Sequence, residues 1–152
     1  MGITHIQFMM MAMTEAEKAQ KKGEVPIGAV VVADNKDVLA AEHNQTITLN
    51  DPTAHAEILA LRLAAEKIGN YRLLNTTLYV TVEPCPMCMG ALIHARVSRV
   101  VFGARDPKWG VAGSLYNFAE DHRFNHRPEI IEGICKSECK KLMQDFFRQK
   151  RT

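Results

Sequence analysis

The chain has 152 residues, the size of one domain with a single buried core, and we expect residues 1–152 to form one domain. Hydrophobic residues make up 47% and charged residues 24% of the chain, which excludes a disordered or fibrous protein. The 19 basic and 17 acidic residues leave a net charge of only +2, and no apolar run approaches the roughly 18 residues of a membrane span, so composition indicates neither a nucleic acid nor a membrane partner.

The first predicted elements are a helix and a β-hairpin. Four apolar residues follow the spacing of one helix face: Ile6, Met9, Met10 and Met13. This spacing predicts a helix over residues 5–22 whose methionines pack in the core, with Gly23 ending it. Residues 27–33 and 38–42 flank the polar segment 34–37, a pattern that predicts two strands joined by a turn.

The rest of the chain alternates helices with strands. Capping residues and prolines mark two helix starts, at Pro52 and Pro86, and β-branched residues mark the strands. We predict helices over residues 51–68, 86–95 and 137–150, and strands over residues 77–82, 97–102 and 129–134. The alternation predicts an α/β fold in which helices pack on one sheet.

The most informative motif combines His-Ala-Glu at residues 55–57 with Pro-Cys-Pro-Met-Cys at residues 84–88. His55, Cys85 and Cys88 supply one imidazole and two thiols, which are ligands that Zn²⁺ prefers. A structural zinc has four protein ligands, whereas a catalytic zinc keeps one position for water. Glu57 is then left as a carboxylate beside that water, where it can move protons. The motif therefore predicts a hydrolytic zinc site.

Both halves of the motif lie where a helix is predicted to begin. If Cys85 is the N-cap, Pro86 takes the first helical position and Cys88 the third, so that the two sulfurs face one another. The same reasoning puts His55 and Glu57 in the first turn of the other helix. Either half alone has another interpretation, since Cys-x-x-Cys also occurs in redox pairs and structural zinc sites. In this order, the two halves match the signature of zinc-dependent nucleobase deaminases.

The sequence also resembles the bacterial-type tRNA-specific adenosine deaminases over nearly its whole length. The matching segments are EVPIGAV (24–30), Asn44, DPTAHAEI (51–58), NYRL (70–73), TLYVTVEPC (77–85), VVFGARD (100–106), GSL (113–115), NHR (125–127), EGI (132–134) and FFR (146–148). Pro86 is a small departure, because Pro-Cys-Pro-Met-Cys is also similar to the guanine deaminases. The resemblance implies a three-layer α/β/α cytidine-deaminase-like domain with a five-stranded mixed sheet.

The resemblance implies a reaction as well as a fold. The expected reaction is the hydrolytic deamination of adenosine to inosine at the wobble position (34) of a tRNA. An arginine tRNA is the expected substrate. One Zn²⁺ per chain, held by His55, Cys85 and Cys88, would activate the water, and Glu57 would carry the protons. A homodimer is implied by the resemblance alone. Thiol ligands favour a reducing compartment, so we expect the cytoplasm.

Five further residues are candidates for binding the anticodon loop of the tRNA. Asn44 is similar to the asparagine that hydrogen-bonds the flipped nucleotide in the family, although it is also typical of a turn after a strand. Asp106 and Lys108 lie in a loop that the family uses near the RNA, or else form a solvated turn. Phe147 and Arg148 belong to a last helix that combines aromatic and basic residues, as single-stranded nucleic acid requires. The aromatic and basic residues of this helix are Lys140, Lys141, Phe146, Phe147, Arg148, Lys150 and Arg151. We expect at least one of the two phenylalanines to pack in the core.

Two other functions remain open at this stage. The first is a deaminase of a free base, guanine or cytosine, for which the basic last helix would be incidental. The second is a non-catalytic, zinc-stabilised RNA-binding module, which the spare Glu57 and the absence of an obvious fourth ligand disfavour. The remaining cysteines and paired histidines are expected to be structural: Cys135, Cys139, His122 and His126.

Overall fold

The structure is a computed structural model that describes the backbone of residues 2–150 and the side chains of residues 4–150. In chain order, the elements are α1 (Gly2–Lys21), β1 (Gly28–Ala33), β2 (Val38–His43), α2 (Ala56–Ile68), β3 (Thr76–Val82), α3 (Pro86–His94), β4 (Arg99–Ala104), a short 3-10 helix (Phe118–Glu120), β5 (Glu129–Glu132) and α4 (Lys136–Lys150). The predicted order of helices and strands is confirmed. Within the described part of the chain, no helix combines the length and apolarity needed to cross a membrane.

The five strands form one mixed sheet in the order β2-β1-β3-β4-β5. Strand β1 is antiparallel to both β2 and β3, whereas β3 is parallel to β4 and β4 to β5. Strands β2 to β5 therefore all run in one direction and end at the same edge, which we call the carboxyl edge of the sheet. In α/β proteins the loops at this edge are where sites form.

Helices cover both faces of the sheet, and each face has its own apolar core. Alternating residues of a strand point to opposite faces. Accordingly, Val31 and Val80 pack with α2 and α3, while Val30 and Tyr79 pack with α1 and α4. The predicted three-layer α/β/α architecture with a five-stranded mixed sheet is confirmed.

Two glycines allow α1 and α4 to lie very close to the strands. A Cβ atom at Gly28 would overlap the backbone of α1 at Ala12, and a Cβ atom at Gly103 would overlap Cys139 of α4. Glycine is used where backbone must approach other groups this closely. The close approach at Gly103 places the first turn of α4 beside the carboxyl end of β4.

The predicted core face of α1 is confirmed for Met9 and Met13, which pack in the core, and wrong for Ile6 and Met10. Met9 is buried, but Ile6 and Met10 remain 44% and 55% exposed. The buried side of the helix consists instead of Met9 and three alanines, namely Ala12, Ala16 and Ala19. Because α1 lies against β1 at Gly28, only small side chains fit at that contact, where the helix carries Ala12 and Ala16.

The start of α2 also differs from the prediction. The helix begins at Ala56 with His55 as N-cap, not at residue 51. Asp51 organises a separate turn, in which its Oδ1 accepts hydrogen bonds from the backbone N–H (2.8 Å) and the hydroxyl (2.7 Å) of Thr53. The predicted C-terminal end is confirmed, because Gly69 terminates the helix in the left-handed conformation (φ 71°).

Candidate active site

The two halves of the sequence motif meet at the starts of α2 and α3. His55 is the N-cap of α2 and Cys85 the N-cap of α3, both in extended conformation, and Pro86 is the first residue of α3. The spacing predicted this placement for Cys85 and Pro86, whereas His55 was predicted in the first turn of its helix. Neither cap residue uses its side chain to cap its own helix, so both side chains are available to the site.

The ligand atoms of His55, Cys85 and Cys88 lie within 4.8 Å of one another. His55 Nδ1 is 3.6 Å from Cys85 Sγ and 3.5 Å from Cys88 Sγ. Among the residues that the structure describes, no other group of three or more histidine, cysteine or acidic side chains is arranged to hold a metal ion. Three converging donors of this kind define a candidate metal centre.

Hydrogen bonding and burial shift the pKa values of the cluster residues in different directions. The hydrogen bond from Cys88 lowers the pKa of Cys85 to about 4, and His55 acts in the same direction. The same bond and burial raise the pKa of Cys88, while the bond to Cys85 raises the pKa of His55. Cys85 is thus a thiolate at neutral pH, the form that binds metals.

Glu57 is the second residue of α2 and lies beside the cluster. The residue is only 4% exposed, and this burial raises the pKa of its carboxyl group to about 7. A carboxyl group with a pKa near the operating pH can both accept and donate a proton in one reaction cycle. Glu57 therefore has the properties of a general acid and base.

A cavity of about 650 Å³ opens at the carboxyl edge of the sheet above the cluster. Its walls come from the residues after β2, β3 and β4, from the segment before β1, and from α4. The lining residues are Val25, Ile27, Asn44, Thr46, Pro52, His55, Glu57, Glu83, Cys85, Pro86, Met87, Asp106, Trp109, Met143 and Phe147. The metal-binding cluster and the candidate acid–base therefore border one pocket large enough for a nucleobase.

Three of the five predicted substrate contacts line this cavity. Asn44 is buried, and its Nδ2 donates a hydrogen bond to Glu24 Oε1 (3.4 Å). Asp106 lines the cavity and also forms a turn, because its Oδ1 accepts hydrogen bonds from the backbone N–H of Lys108 (3.0 Å). Phe147 lines the cavity from α4. Asp106 therefore forms the turn that the sequence offered as the alternative, and it does so at the wall of the cavity.

Lys108 and Arg148 lie outside the lining of the cavity. Lys108 is exposed, and Arg148 is exposed with its Nη1 3.4 Å from Asp145 Oδ1. Phe146 is the phenylalanine that packs in the core, as expected for one of the pair. Arg151 of the predicted basic helix lies outside the described residues.

The other reactive residues have structural surroundings. Cys139 is buried against Gly103, and Cys135 packs beside the same core. His126 Nε2 is hydrogen-bonded to the carbonyl oxygen of Val97 (2.6 Å). These contacts agree with the structural roles expected from the sequence.

Two buried carboxylates that hold the cavity walls were missed by the sequence analysis. Glu83 accepts hydrogen bonds from the backbone N–H groups of Asp106 (3.0 Å), Ala112 (2.9 Å) and Ser114 (3.0 Å). Glu24 accepts them from Thr48 (2.6 Å) and Ile47 (3.2 Å). An acidic residue beside an apolar strand segment, as at both positions, was the available signal.

The wall residues Trp109 and Met143 were missed as well. Both lie far from the zinc motif in the sequence, and the fold alone brings them to the cavity. A tryptophan next to a predicted candidate loop was a usable signal in the case of Trp109.

Comparison with known proteins defines the class and then the family. The MafB19-like deaminase model matches residues 3–151, so the fold and site are those of a deaminase enzyme. A tRNA-specific adenosine deaminase of Haemophilus influenzae is 48% identical over 95% of this chain and 84% of its own length. The chain belongs to the family of the tRNA-specific adenosine deaminases.

Two solved structures of deaminases are similar to this chain. One, from studies of A-to-I editing by tRNA:A34 deaminases at the wobble position of transfer RNA, is 44% identical with a TM-score of 0.86, covering 90% of this chain and 98% of that one. A guanine deaminase from Bacillus subtilis is 42% identical, with a TM-score of 0.62, and covers 65% of this chain and 63% of that one.

Proposed function

We propose that the 152 residues form one zinc-dependent deaminase domain that hydrolyses adenosine to inosine at wobble position 34 of a tRNA. The observation that carries the proposal is the cluster of His55, Cys85 and Cys88 beside the buried Glu57, at one cavity of about 650 Å³. His55, Cys85 and Cys88 are the metal ligands of the proposal, and Glu57 is its catalytic residue.

The donor geometry supports zinc as the metal. Zinc bonds of about 2.3 Å to sulfur and 2.0–2.1 Å to nitrogen, meeting at the tetrahedral angle, place the nitrogen and sulfur about 3.6 Å apart. The corresponding distances from His55 Nδ1 to the two sulfurs are 3.6 Å and 3.5 Å. Three protein ligands also leave the fourth position that a catalytic zinc needs.

Glu57 carries the protons in the proposed reaction. A zinc ion in this site would supply a Lewis acid that makes a water molecule a strong nucleophile at neutral pH. The Glu57 carboxylate accepts a proton as the water attacks C6 of adenine. It donates this proton to the ring nitrogen, accepts a second proton from the hydroxyl group now on C6, and passes that proton to the departing amine, so that ammonia leaves and inosine remains. The pKa of about 7 suits both directions of transfer.

A base in an anticodon loop suits this cavity better than one in a duplex. The target base has to leave its stack to enter the pocket, and an unpaired base does so at low cost. Within the pocket, Asn44 and Asp106 are the proposed hydrogen-bonding groups and Phe147 an apolar contact. Exposed Lys108 and Arg148 are proposed to contact phosphates outside it. The sequence resemblance supports an arginine tRNA.

We also propose a homodimer that works in the cytoplasm. An apolar groove of about 440 Å³ lies between α2 and α3, lined by residues that include Ile58, Leu61, Tyr71 and Ala91. A second copy packed on this groove would bury it, and sedimentation analysis tests this. The reduced thiols required at Cys85 and Cys88 support the cytoplasm, which cell fractionation tests.

The substrate is tested directly with the zinc-loaded protein. It is incubated with anticodon stem-loops that carry a wobble adenosine, from arginine and other tRNAs, and separately with guanine, cytosine and cytidine. We expect inosine in the arginine stem-loop, detected by mass spectrometry of the digested RNA. Turnover of a free base without inosine in any RNA would refute the proposal.

Guanine deamination is the second candidate, because the solved guanine deaminase is 42% identical. The Pro-Cys-Pro-Met-Cys segment of this chain also resembles the guanine deaminases. The same experiment separates the two, since xanthine from guanine is the product of the alternative. The zinc site is tested by metal analysis of Cys88→Ala, for which we expect loss of the bound zinc. Cys135→Ala, away from the cluster, is the control and should retain one zinc per chain.

A further inference from the structure

Trp109 is the one tryptophan of the sequence, and neither the zinc site nor the proposed acid–base chemistry uses it. It lies in the loop between β4 and the 3-10 helix, which we call the 105–117 loop. Its side chain is 65% exposed although it lines the cavity, so it forms part of the cavity mouth. An exposed residue of this size at the rim of a pocket indicates a contact surface for a ligand.

The backbone that carries Trp109 is held on both sides. Asp106 Oδ1 accepts a hydrogen bond from the Trp109 N–H (3.2 Å), and the Asp106 carbonyl oxygen accepts one from the Gly110 N–H (2.8 Å). A Cβ atom at Gly110 would overlap the Glu83 carboxyl, so the turn is packed directly on this buried group. A ring on such a fixed turn loses little conformational entropy when a ligand binds.

We propose that Trp109 is a stacking platform for an unpaired nucleobase next to the one that enters the cavity. This inference rests on the proposed function. Indole rings stack on any base, and the exposed Lys108 beside it supplies a cation for the adjoining phosphate. Phe147 of α4 presents a second exposed ring at the same cavity. Nucleic acid fits this combination of rings and cation better than an apolar protein surface does.

The single tryptophan makes the contact directly observable. The full-length, zinc-loaded protein is titrated with an anticodon stem-loop carrying the wobble adenosine while the fluorescence of Trp109 is recorded. Two matched stem-loops carry an abasic site immediately 5′ or 3′ of the adenosine. We expect the intact loop to quench the emission and one of the abasic loops to lose most of that quenching. Unchanged emission with the intact loop, or equal quenching by all three, would overturn the proposal.

Variants give an independent measurement of the same contact. Trp109→Ala should raise the Kd of the stem-loop by roughly 5- to 100-fold, the range measured for loss of one stacked base, whereas Trp109→Phe should raise it far less. Tyr116→Ala is the matched control, because Tyr116 is 69% exposed in the same loop but lies outside the cavity lining. An equal loss of affinity in both alanine variants would contradict the specific role of Trp109.

Inosine formation by the unmodified protein is measured in the same samples. If inosine forms but neither the emission nor the affinity of Trp109→Ala changes, the stacking inference fails and the proposed function stands. If no RNA is deaminated but the intact loop quenches Trp109 and its abasic partner does not, the proposed function fails and the stacking contact stands. Emission that changes with protein concentration and not with RNA would assign Trp109 to a contact between copies and refute the inference.

Discussion

The chemistry of Glu57 depends on where its carboxyl group lies. An exposed glutamate is charged at neutral pH and is a weak base, but burial in the first turn of α2 raises the pKa of Glu57 to about 7. The same helix carries a second glutamate, Glu66, at its exposed end. Glu57 and Glu66 are the same type of residue on the same helix. They differ in burial and in their distance from the cluster.

Replacement of Glu57 by glutamine should separate binding from catalysis. The amide has nearly the same shape but cannot accept the proton of the water, so we expect the deamination rate to fall by about 10²-fold or more. Zinc content and stem-loop affinity should stay within about two-fold of the unmodified protein. The measurements are single-turnover inosine formation, metal analysis and fluorescence anisotropy of labelled RNA.

Glu66→Gln is the matched control on the same helix and should leave all three quantities unchanged. Two results would contradict the role assigned to Glu57. One is normal turnover by Glu57→Gln, and the other is loss of its zinc, which would make the carboxylate a ligand.

At the scale of the elements, the site depends on close packing and on loops tied to buried groups. Helix α1 can lie on β1 because Gly28 has no side chain. The 105–117 loop keeps its shape because three of its backbone N–H groups donate to Glu83. Both features depend on contacts between segments far apart in sequence. Each predicts a measurable effect of a substitution at the contact.

Two glycine substitutions should have opposite effects on stability. At Gly28 an alanine would overlap backbone atoms of α1, and overpacking of this kind costs about 1–3 kcal/mol or more of unfolding free energy. At Gly90, inside α3, nothing lies within 4 Å of the added methyl group. Gly90→Ala should therefore stabilise the protein by about 0.5–1 kcal/mol through helix propensity. Urea denaturation measures both, and equal effects of the two substitutions would contradict the packing described.

Glu83→Gln should loosen the 105–117 loop while the metal stays bound. An amide turns an N–H₂ group toward backbone donors, which leaves buried N–H groups unpaired at about 1–3 kcal/mol each. We expect faster hydrogen exchange at Asp106, Ala112 and Ser114, and weaker RNA binding. Hydrogen-exchange mass spectrometry with metal analysis tests this.

Glu129→Gln serves as the control for this substitution. Its carboxylate pairs with Arg99 at the other end of β4 and is exposed. Exchange rates in the 105–117 loop should not change in this variant. The same rates in Glu83→Gln as in the unmodified protein would show that Glu83 does not hold the loop.

At the scale of the whole molecule, the topology of the sheet assembles the site. Strands β2, β3 and β4 run in one direction, so the residues that follow them meet at the carboxyl edge. Asn44 follows β2, Cys85 follows β3 and Asp106 follows β4. Buried Glu24 and Glu83 fix the two loops on either side, which couples the shape of the cavity to the stability of the fold.

This coupling should appear as a pH-dependent contribution of Glu24 to stability. Burial alone would raise the pKa of Glu24, but hydrogen bonds from Thr48, Ile47 and Thr46 outweigh it and hold the pKa below its ordinary value of 4.5. A lowered folded-state pKa means that the charged carboxylate stabilises the fold fully above about pH 4.5. That stabilisation is lost as the pH falls through the folded-state pKa.

Glu24→Gln should therefore be less stable than the unmodified protein by about 1–3 kcal/mol at pH 7, with the difference shrinking below pH 4.5. Denaturant titrations of both proteins between pH 7 and pH 3.5 measure it. Glu17→Gln, an exposed position on α1, should change the unfolding free energy at pH 7 by less than about 0.5 kcal/mol. A difference that grows toward low pH would contradict the assignment.

Much of the local structure followed from the sequence because its causes are local. Pro86 marks the start of α3 and Gly69 the end of α2, and both effects involve only neighbouring backbone. The spacing within Cys85-x-x-Cys88 brings two sulfurs together across one helix turn. The family also followed from sequence, because many short segments match it together.

Only the tertiary structure decided which other groups border the cluster. The apolar spacing of α1 predicted Ile6 and Met10 on its core face, but both are exposed, and alanines occupy the contact at Gly28. Glu83 and Trp109 reach the cavity, and Glu24 reaches the loop that carries Thr46, through the order and direction of five strands, which no local pattern encodes. Sequence thus predicted the metal-binding group of His55, Cys85 and Cys88, since those residue types carry the ligand atoms themselves. Tertiary structure decided the walls of the cavity, because they depend on distances between segments far apart along the chain.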